Sequence, residues 1–185
     1  MVRRQLEDVA ARLFAEQGYG DTTVDQIVAG AGVSKPALYR HFESKKDLYL
    51  TLLRRHREEL AAAALAEMSS GQALESALPA MVEAWFAHVE QYPYTWRMLF
   101  QDTTGDAEIQ AVHAELHRAQ VAVDVALLQL ADPPLPPEEL EPLGEVVRNS
   151  LAGLALWWLE HPDTPRCVLV ATMVRVARGI LGAGH

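Results

Sequence analysis

The chain has 185 residues, half of them apolar, which suits one ordinary domain or a small domain joined to a larger one and excludes a disordered tail. Its net charge of −9 excludes a protein that binds nucleic acid through its whole surface, but residues 1–57 hold ten Lys/Arg against seven Asp/Glu, and residues 58–185 hold six against eighteen. A basic N-terminal part on an acidic body is expected when only one end of a protein meets an anion.

The cysteine content and the hydropathy pattern indicate a compartment. The single cysteine, Cys167, excludes an intramolecular disulfide and fits a reducing environment, and its Val and Leu neighbours favour a buried small hydrophobe over a redox group. The first residues have the spaced charges of an amphipathic helix rather than the apolar centre of a signal peptide. No apolar run approaches the roughly 18 residues that cross a bilayer. We expect a cytoplasmic protein without a membrane segment.

Helical periodicity runs through almost every segment, and no strand alternation is visible. Gly18 is expected to end the first helix in a left-handed conformation. Thr23 and Gln26 form a capping-box pattern that opens the second helix. Gly32 lies in the turn that follows, and Pro36 suits the first turn of a short third helix.

Further helices are predicted after a second capping signal at Ser44 and Asp47. The sequence predicts an all-α protein of about nine helices, with a three-helix N-terminal domain at 1–46 and a larger helical domain at 47–185. The predicted ranges of the last six helices are 45–68, 72–91, 94–101, 107–131, 138–160 and 166–181.

The second and third helices with their short turn have the helix-turn-helix pattern, in which the second helix of the pair enters the major groove of DNA. Leu38 and Phe42 face inward at a spacing of four. The residues expected to project outward are Pro36, Ala37, Tyr39, Arg40 and His41. Arg40 suits a guanine edge. The alternatives are an ordinary surface helix with solvated charges, or a scaffold that keeps the motif only as architecture.

The stretch "FAEQGYGDTTVDQIVAGAGVSKPALYRHFESKKDLY" resembles the N-terminal DNA-binding region of the TetR (tetracycline repressor) family of transcriptional regulators, and the likeness extends over residues 6–52. The resemblance implies phosphate contacts from Thr23, Ser34, Lys35, Tyr39, His41 and Lys45, with Lys46 at the same helix start. It also implies base contacts from Lys35, Pro36, Ala37 and Arg40.

The acidic body has large apolar side chains at helical spacing, which suit either the lining of an apolar ligand cavity or an ordinary core. The resemblance favours a cavity for an effector. The candidate ligand-binding residues are Met81, Trp85, His88, Tyr92, Trp96, Leu99, Phe100, His117 and Trp157. His113 and His117 are four residues apart, but no third metal ligand is near. We read their stripe, which continues through Gln120 and Asp124, as solvated, and we expect neither a metal nor a cofactor.

The last two predicted helices are apolar around too much of their circumference for helices exposed on a small body. They are therefore expected to form a four-helix seam between two copies of the chain, and the resemblance implies the same homodimer. The candidate interface residues are Val147, Leu151, Gly153, Leu154, Trp158, Leu169, Met173 and Val176. The alternative is that Trp157 and Trp158 complete a core within one chain.

These features predict a ligand-responsive transcriptional repressor that binds a palindromic double-stranded DNA operator as a homodimer and is released by a small apolar or aromatic effector. An enzyme is not expected, because the sequence has no phosphate-binding Gly-rich loop, no Cys/His metal spacing and no nucleophile elbow. The predicted coupling runs through the fourth helix, which joins the two domains.

Overall fold

The structure is a computed structural model that describes residues 1–68, 73–100 and 105–182, except for the side chains at 57, 60, 61, 63–68, 99 and 100. Over these residues the chain is helical without strands, which confirms the predicted fold class. The helices are α1 (Val2–Asp21), α2 (Val24–Gly30), α3 (Lys35–Tyr39), α4 (Lys45–Met68), α5 (Leu74–Gln91), α6 (Pro93–Phe100), α7 (Ala107–Leu128), α8 (Pro137–Glu160) and α9 (Arg166–Gly182). None of these helices is long and apolar enough to cross a membrane.

Two glycines have a positive φ angle, and both lie where the chain changes direction in the N-terminal part. Gly18, at φ 82°, interrupts α1 where the sequence predicted the end of the first helix, and a short helical segment continues to Asp21. Gly32, at φ 63°, forms the turn between α2 and α3. Only glycine adopts this region without steric cost, so these two residues determine where the turns form.

The described residues divide into two compact units whose bounds differ from the expected division after residue 46. Unit 1 consists of residues 1–58 and 92–114, and unit 2 consists of 59–91 and 115–185. Helix α6 packs against α1 and therefore belongs to unit 1. Helices α4 and α7 each contribute residues to both units.

The core of unit 1 is built from the apolar faces of α1, α2, α3 and α4. Leu6, Ile27, Leu38 and Leu48 are fully buried, and Phe42 is almost so. The burial of Leu38 and Phe42 confirms the prediction that they face inward. Helix α3 therefore presents its opposite side to solvent.

Unit 2 packs α5 against α9, and α8 against α9. The buried ring of Trp158 meets that of Phe86 edge to face with centroids 5.9 Å apart. The guanidinium of Arg166 at the start of α9 donates to Glu83 at 2.7 Å and also pairs with Glu90, both on α5. Cys167, next to it, is exposed, contrary to its expected burial.

Candidate functional site

The helix-turn-helix of unit 1 is held by a complete capping box at the start of α2. The Gln26 backbone N–H donates to Thr23 Oγ1 at 3.2 Å, and the Thr23 N–H donates to Gln26 Oε1 at 2.8 Å. The turn through Gly32 then leads to Ser34, which is the N-cap of α3 but whose side chain makes no capping hydrogen bond. The predicted capping box is confirmed.

The exposed side of α3 contains most of the residues expected to reach DNA. Ser34, Lys35, Pro36, Tyr39, Arg40 and His41 are all exposed. Ala37 is not, since only 7% of its surface is accessible, so the expectation that it projects outward is wrong. The spacing explains this, because Ala37 precedes the inward-facing Leu38 and lies on the border of the buried side. Lys35 forms an exposed ion pair with Asp25 at 2.8 Å.

Lys45 and Lys46, at the start of α4, are engaged within unit 1. The Lys45 ammonium donates to the backbone carbonyls of Tyr19 and Thr22, each at 2.7 Å, and lies 4.2 Å from the centroid of the Tyr19 ring. Burial lowers the pKa of Lys45. Its position indicates that Lys45 fastens the end of α1 to the start of α4.

Lys46 pairs with two acidic side chains at the start of α7. Its Nζ atom lies 2.8 Å from Asp106 Oδ2 and 3.0 Å from Glu108 Oε2. Hydrogen bonds from its ammonium to these two carboxylates raise the pKa of Lys46 above its ordinary range. The Lys46 ammonium is therefore paired within unit 1.

Unit 2 contains an apolar pocket among α5, α7, α8 and α9, with a volume of about 130 Å³. Met81 and Trp85 line it from α5, as predicted by the aromatic and methionine pattern. Ile180 and Leu181 line it from α9. Such a pocket, mostly apolar with a few polar groups, is the usual form of a small-molecule site.

The polar groups of this pocket come from α7. Gln120 and Asp124 both line it, one helical turn apart. Only 5% of Asp124 is exposed, and burial raises its pKa to about 7 although the guanidinium of Arg148 opposes this shift. The prediction that the stripe from His113 to Asp124 is solvated is therefore wrong at Asp124.

Comparison with known protein families identifies both parts of the chain. Residues 6–52 match the model described as bacterial regulatory proteins of the tetR family, and residues 73–181 match the tetracyclin repressor-like C-terminal domain. The chain belongs to the TetR family. It is therefore related to DNA-binding transcriptional regulators and not to enzymes.

Individual relatives of this TetR-family protein match only parts of it. The transcriptional activator FasR of Mycolicibacterium smegmatis is 37% identical over 100 residues, which cover 54% of this chain and 46% of FasR. A transcriptional repressor of Mycobacterium tuberculosis is 42% identical over 65 residues, or 35% of each chain. The chain thus spans less than half the length of these relatives. The fatty acid degradation regulator FadR of Bacillus halodurans has the same fold, with a TM-score of 0.83 at 18% identity, over 100% of this chain and 96% of that one.

The remaining ligand candidates of this TetR-family chain lie away from the pocket. Trp157 is 43% exposed and stacks on His161 with ring centroids 4.2 Å apart. His117 contacts Glu145 at 3.1 Å, and His88 is partly buried, with its pKa lowered by that burial. None of these three is among the residues that line the pocket.

The other aromatic candidates belong to unit 1. Trp96 is fully buried there, and both its ring and that of Tyr92 meet the His56 imidazole edge to face. Tyr92 and Trp96 lie in the second stretch of unit 1, and neither is among the residues that line the pocket of unit 2. The side chains of Leu99 and Phe100 lie outside the described residues.

Unit 2 buries part of the predicted dimer seam within one chain. Trp158, Leu169 and Met173 are at most 6% exposed, and Trp158 donates its indole N–H to the Thr164 carbonyl at 2.8 Å. Val147 and Leu151 line the pocket with Met173. These five residues face the inside of the unit because α8 and α9 use their large side chains to pack against α5 and each other.

The remaining seam candidates are accessible. Gly153 and Val176 are exposed and Leu154 is partly so. A Cβ atom added at Gly153 would meet nothing within 4 Å. The structure adds three exposed apolar residues that the sequence reading did not select, which are Val146, Trp157 and Val168. The spacing on α8 could have indicated two of them, because Val146, Gly153 and Trp157 follow one another at intervals of seven and four residues.

Proposed function

We propose that this protein is a ligand-responsive repressor that binds a palindromic operator as a homodimer and leaves it when a small apolar effector enters the pocket of unit 2. The DNA-binding part of this proposal is supported by one observation. The exposed side of α3 and the residues that follow it present Lys35, Tyr39, Arg40 and His41 on a helix-turn-helix with a complete capping box. A helix of this kind reads base edges while its neighbours hold phosphates.

Arg40 is the proposed reader of a base edge. It is exposed at the C-terminal end of α3, and its guanidinium can donate two parallel hydrogen bonds to guanine. Ser34, with its hydroxyl not used as a cap, and Thr23 are proposed phosphate contacts. Lys45 is left out of the proposed contacts, because both of its strong hydrogen bonds fasten α1 to α4.

The proposed homodimer is supported by an exposed apolar stripe along α8 and α9. Val146, Gly153 and Trp157 share one side of α8, and Val168 and Val176 lie eight residues apart on α9. Exposed apolar residues concentrated on two neighbouring helices indicate an interface more than a solvated surface. Two-fold symmetry would give the complex two recognition helices for the two halves of a palindrome.

The proposed response to an effector is supported by the pocket and by α4 and α7, the two helices that contribute residues to both units. We propose that an occupied pocket displaces α7, which lines the pocket through Asp124 and holds Lys46 through Glu108, and with it α4. The coupling counts as allosteric only if the effector and the operator change each other's affinity equally, typically by about 1–3 kcal/mol.

The test is to incubate the purified chain with fragmented DNA of its source genome at about 0.15 M salt and to sequence what is retained. The proposal expects a short palindrome, and Arg40→Ala is expected to lower affinity for it about ten- to a hundredfold. Arg118→Ala is the matched control, since it removes the same charge from an exposed position of unit 2. Equal retention of unrelated fragments, or unchanged binding by Arg40→Ala, would contradict the proposal.

A further inference from the structure

The pocket of unit 2 contains a buried acceptor atom without a partner. Asp124 lines the pocket and is 95% buried, and its Oδ2 atom makes no hydrogen bond to any described residue. A buried polar atom in this state costs free energy that a bound donor would recover. The acceptor therefore indicates which chemical group a ligand of this pocket would offer.

The charges around Asp124 determine which donor suits it. On its own helix the nearest polar neighbour is Gln120, and from α8 the charged groups Arg148 and Glu145 act on it. The lining residues from α5 and α9 are all apolar. Arg148 is not among the lining residues, so the pocket offers a carboxyl and an amide to a ligand, but no cation.

This arrangement disfavours a charged ligand of either sign. A carboxylate would bring a second negative charge against Asp124 in an apolar surrounding, where like charges repel strongly. An ammonium would have to lose its hydration, and Arg148 already supplies a positive charge to Asp124. A neutral hydroxyl has neither cost, and it donates to Asp124 and accepts from the Gln120 amide.

The size of the pocket limits the rest of the ligand. A volume of about 130 Å³ is close to that of an engineered cavity of about 150 Å³ that holds benzene. A molecule of about six to eight non-hydrogen atoms fits this space.

We propose that the effector is a small, neutral, apolar alcohol whose hydroxyl donates its proton to Asp124, and that the pocket rejects the carboxylic acid of the same chain length. This inference rests on the proposed function for its biological meaning. Its chemical content concerns binding alone and can be tested without DNA.

The experiment measures the affinity of the full chain for 1-hexanol, hexanoate and hexylammonium at pH 8 by calorimetry. The three probes have the same chain and differ only in the end group. We expect 1-hexanol to bind at least about tenfold more tightly than either ion, because hexanoate is repelled by Asp124 and hexylammonium has to lose its hydration beside a carboxyl that Arg148 already serves. Equal or tighter binding of an ion, or no binding of 1-hexanol, would overturn the inference.

Asp124→Asn tests the residue itself. It keeps the shape and an acceptor oxygen but removes the negative charge, so the preference for 1-hexanol over hexanoate is expected to shrink severalfold. Glu115→Gln is the control, because it removes the same charge from an exposed position of α7 and should leave the preference unchanged. If Asp124→Asn unfolds because Arg148 loses its partner, the affinities of the unsubstituted chain for the three probes still test the proposal.

A second measurement separates this inference from the proposed function. DNA recovered by the genomic selection is titrated with 1-hexanol and the bound fraction is followed. If 1-hexanol binds with the expected preference and DNA stays bound, the pocket chemistry holds and the effector part of the proposed function fails. If another compound releases the DNA while 1-hexanol and hexanoate bind equally, the inference fails and the proposed function holds.

Discussion

Four basic side chains of unit 1 lie within a dozen positions of one another and have four different environments. Lys35 pairs with Asp25 at the surface, Arg40 is exposed on α3, Lys45 fastens two helices, and Lys46 pairs with two acids of α7. Charge alone would make them equivalent contacts for a phosphate. Their partners instead distinguish them: Lys45 has a structural role, Lys46 is paired with α7, and Lys35 and Arg40 stay available for the proposed DNA contacts.

The buried carboxyl of Asp124 gives a pH dependence whose sign follows from its environment. Burial raises its pKa from 3.8 to about 7. The native state therefore holds the proton more tightly than the unfolded state. The stability contributed by this group is fully present below about pH 4 and is lost as the pH rises through 7.

We expect the free energy of unfolding of the native chain to fall relative to that of Asp124→Asn as the pH rises from 4 to 8. The difference is about 1.4 kcal/mol for each unit between the two pKa values. The attraction of Arg148 for the ionised carboxyl is already contained in the pKa of Asp124, so the substitution adds only an offset that does not depend on pH. Urea denaturation of both proteins at pH 4, 6 and 8 measures the difference. If the two free energies of unfolding change with pH in parallel, Asp124 does not have a raised pKa.

At the scale of elements, the helix-turn-helix depends on groups at its helix ends. The capping box of Thr23 and Gln26 satisfies backbone N–H groups of α2, and Gly32 allows the turn that follows. Asp47 of α4 donates its N–H to Ser44 Oγ at 3.0 Å, which confirms the second predicted cap. Unit 1 thus presents α3 through local interactions that are independent of any ligand.

Thr23 is proposed to act both as a cap and as a phosphate contact, and two substitutions separate these roles. Thr23→Ala removes the capping oxygen and is expected to cost about 1 kcal/mol of stability. Thr23→Asp keeps a capping oxygen and should keep the stability, but its negative charge should repel a phosphate and weaken operator binding about tenfold or more. Thermal unfolding and binding to the recovered palindrome test both, and full DNA binding by Thr23→Asp would exclude the phosphate contact.

At the scale of the whole molecule, the proposed homodimer depends on the apolar stripe of α8 and α9. Val146, Trp157, Val168 and Val176 are each at least 40% exposed. In a lone chain these side chains would remain in water, and burial against a second copy would contribute roughly 25 cal/mol for each Å² covered. The same contact would bring two α3 helices into one complex.

Val176→Glu is expected to convert the proposed dimer to a monomer, because it places a charge at the proposed seam, where charge burial is costly. Leu130→Glu is the matched control, since Leu130 is 54% exposed but lies after α7, away from the stripe. Light scattering after gel filtration gives the mass of each variant. A dimeric Val176→Glu protein, or a Leu130→Glu protein that dissociates, would place the interface elsewhere.

The helices and the recognition motif could be predicted because their signals are local. Caps, glycines and prolines act over three or four residues, and a helical period is visible within two turns, so α4 was predicted at its exact bounds and α8 within one residue. Residues 6–52 also carry enough of these signals, at the right spacing, to indicate the family.

The orientation of individual side chains was decided only by the tertiary structure. Trp157 and Trp158 are neighbours of the same type, but only Trp158 is buried, because it meets Phe86 across the interior of unit 2. Asp124 was expected in solvent, and its burial depends on α8, which lies more than a dozen residues further along the chain. The sequence specifies local conformation through neighbouring residues, whereas burial depends on which distant helices pack together, and this packing determines which side chains line the pocket.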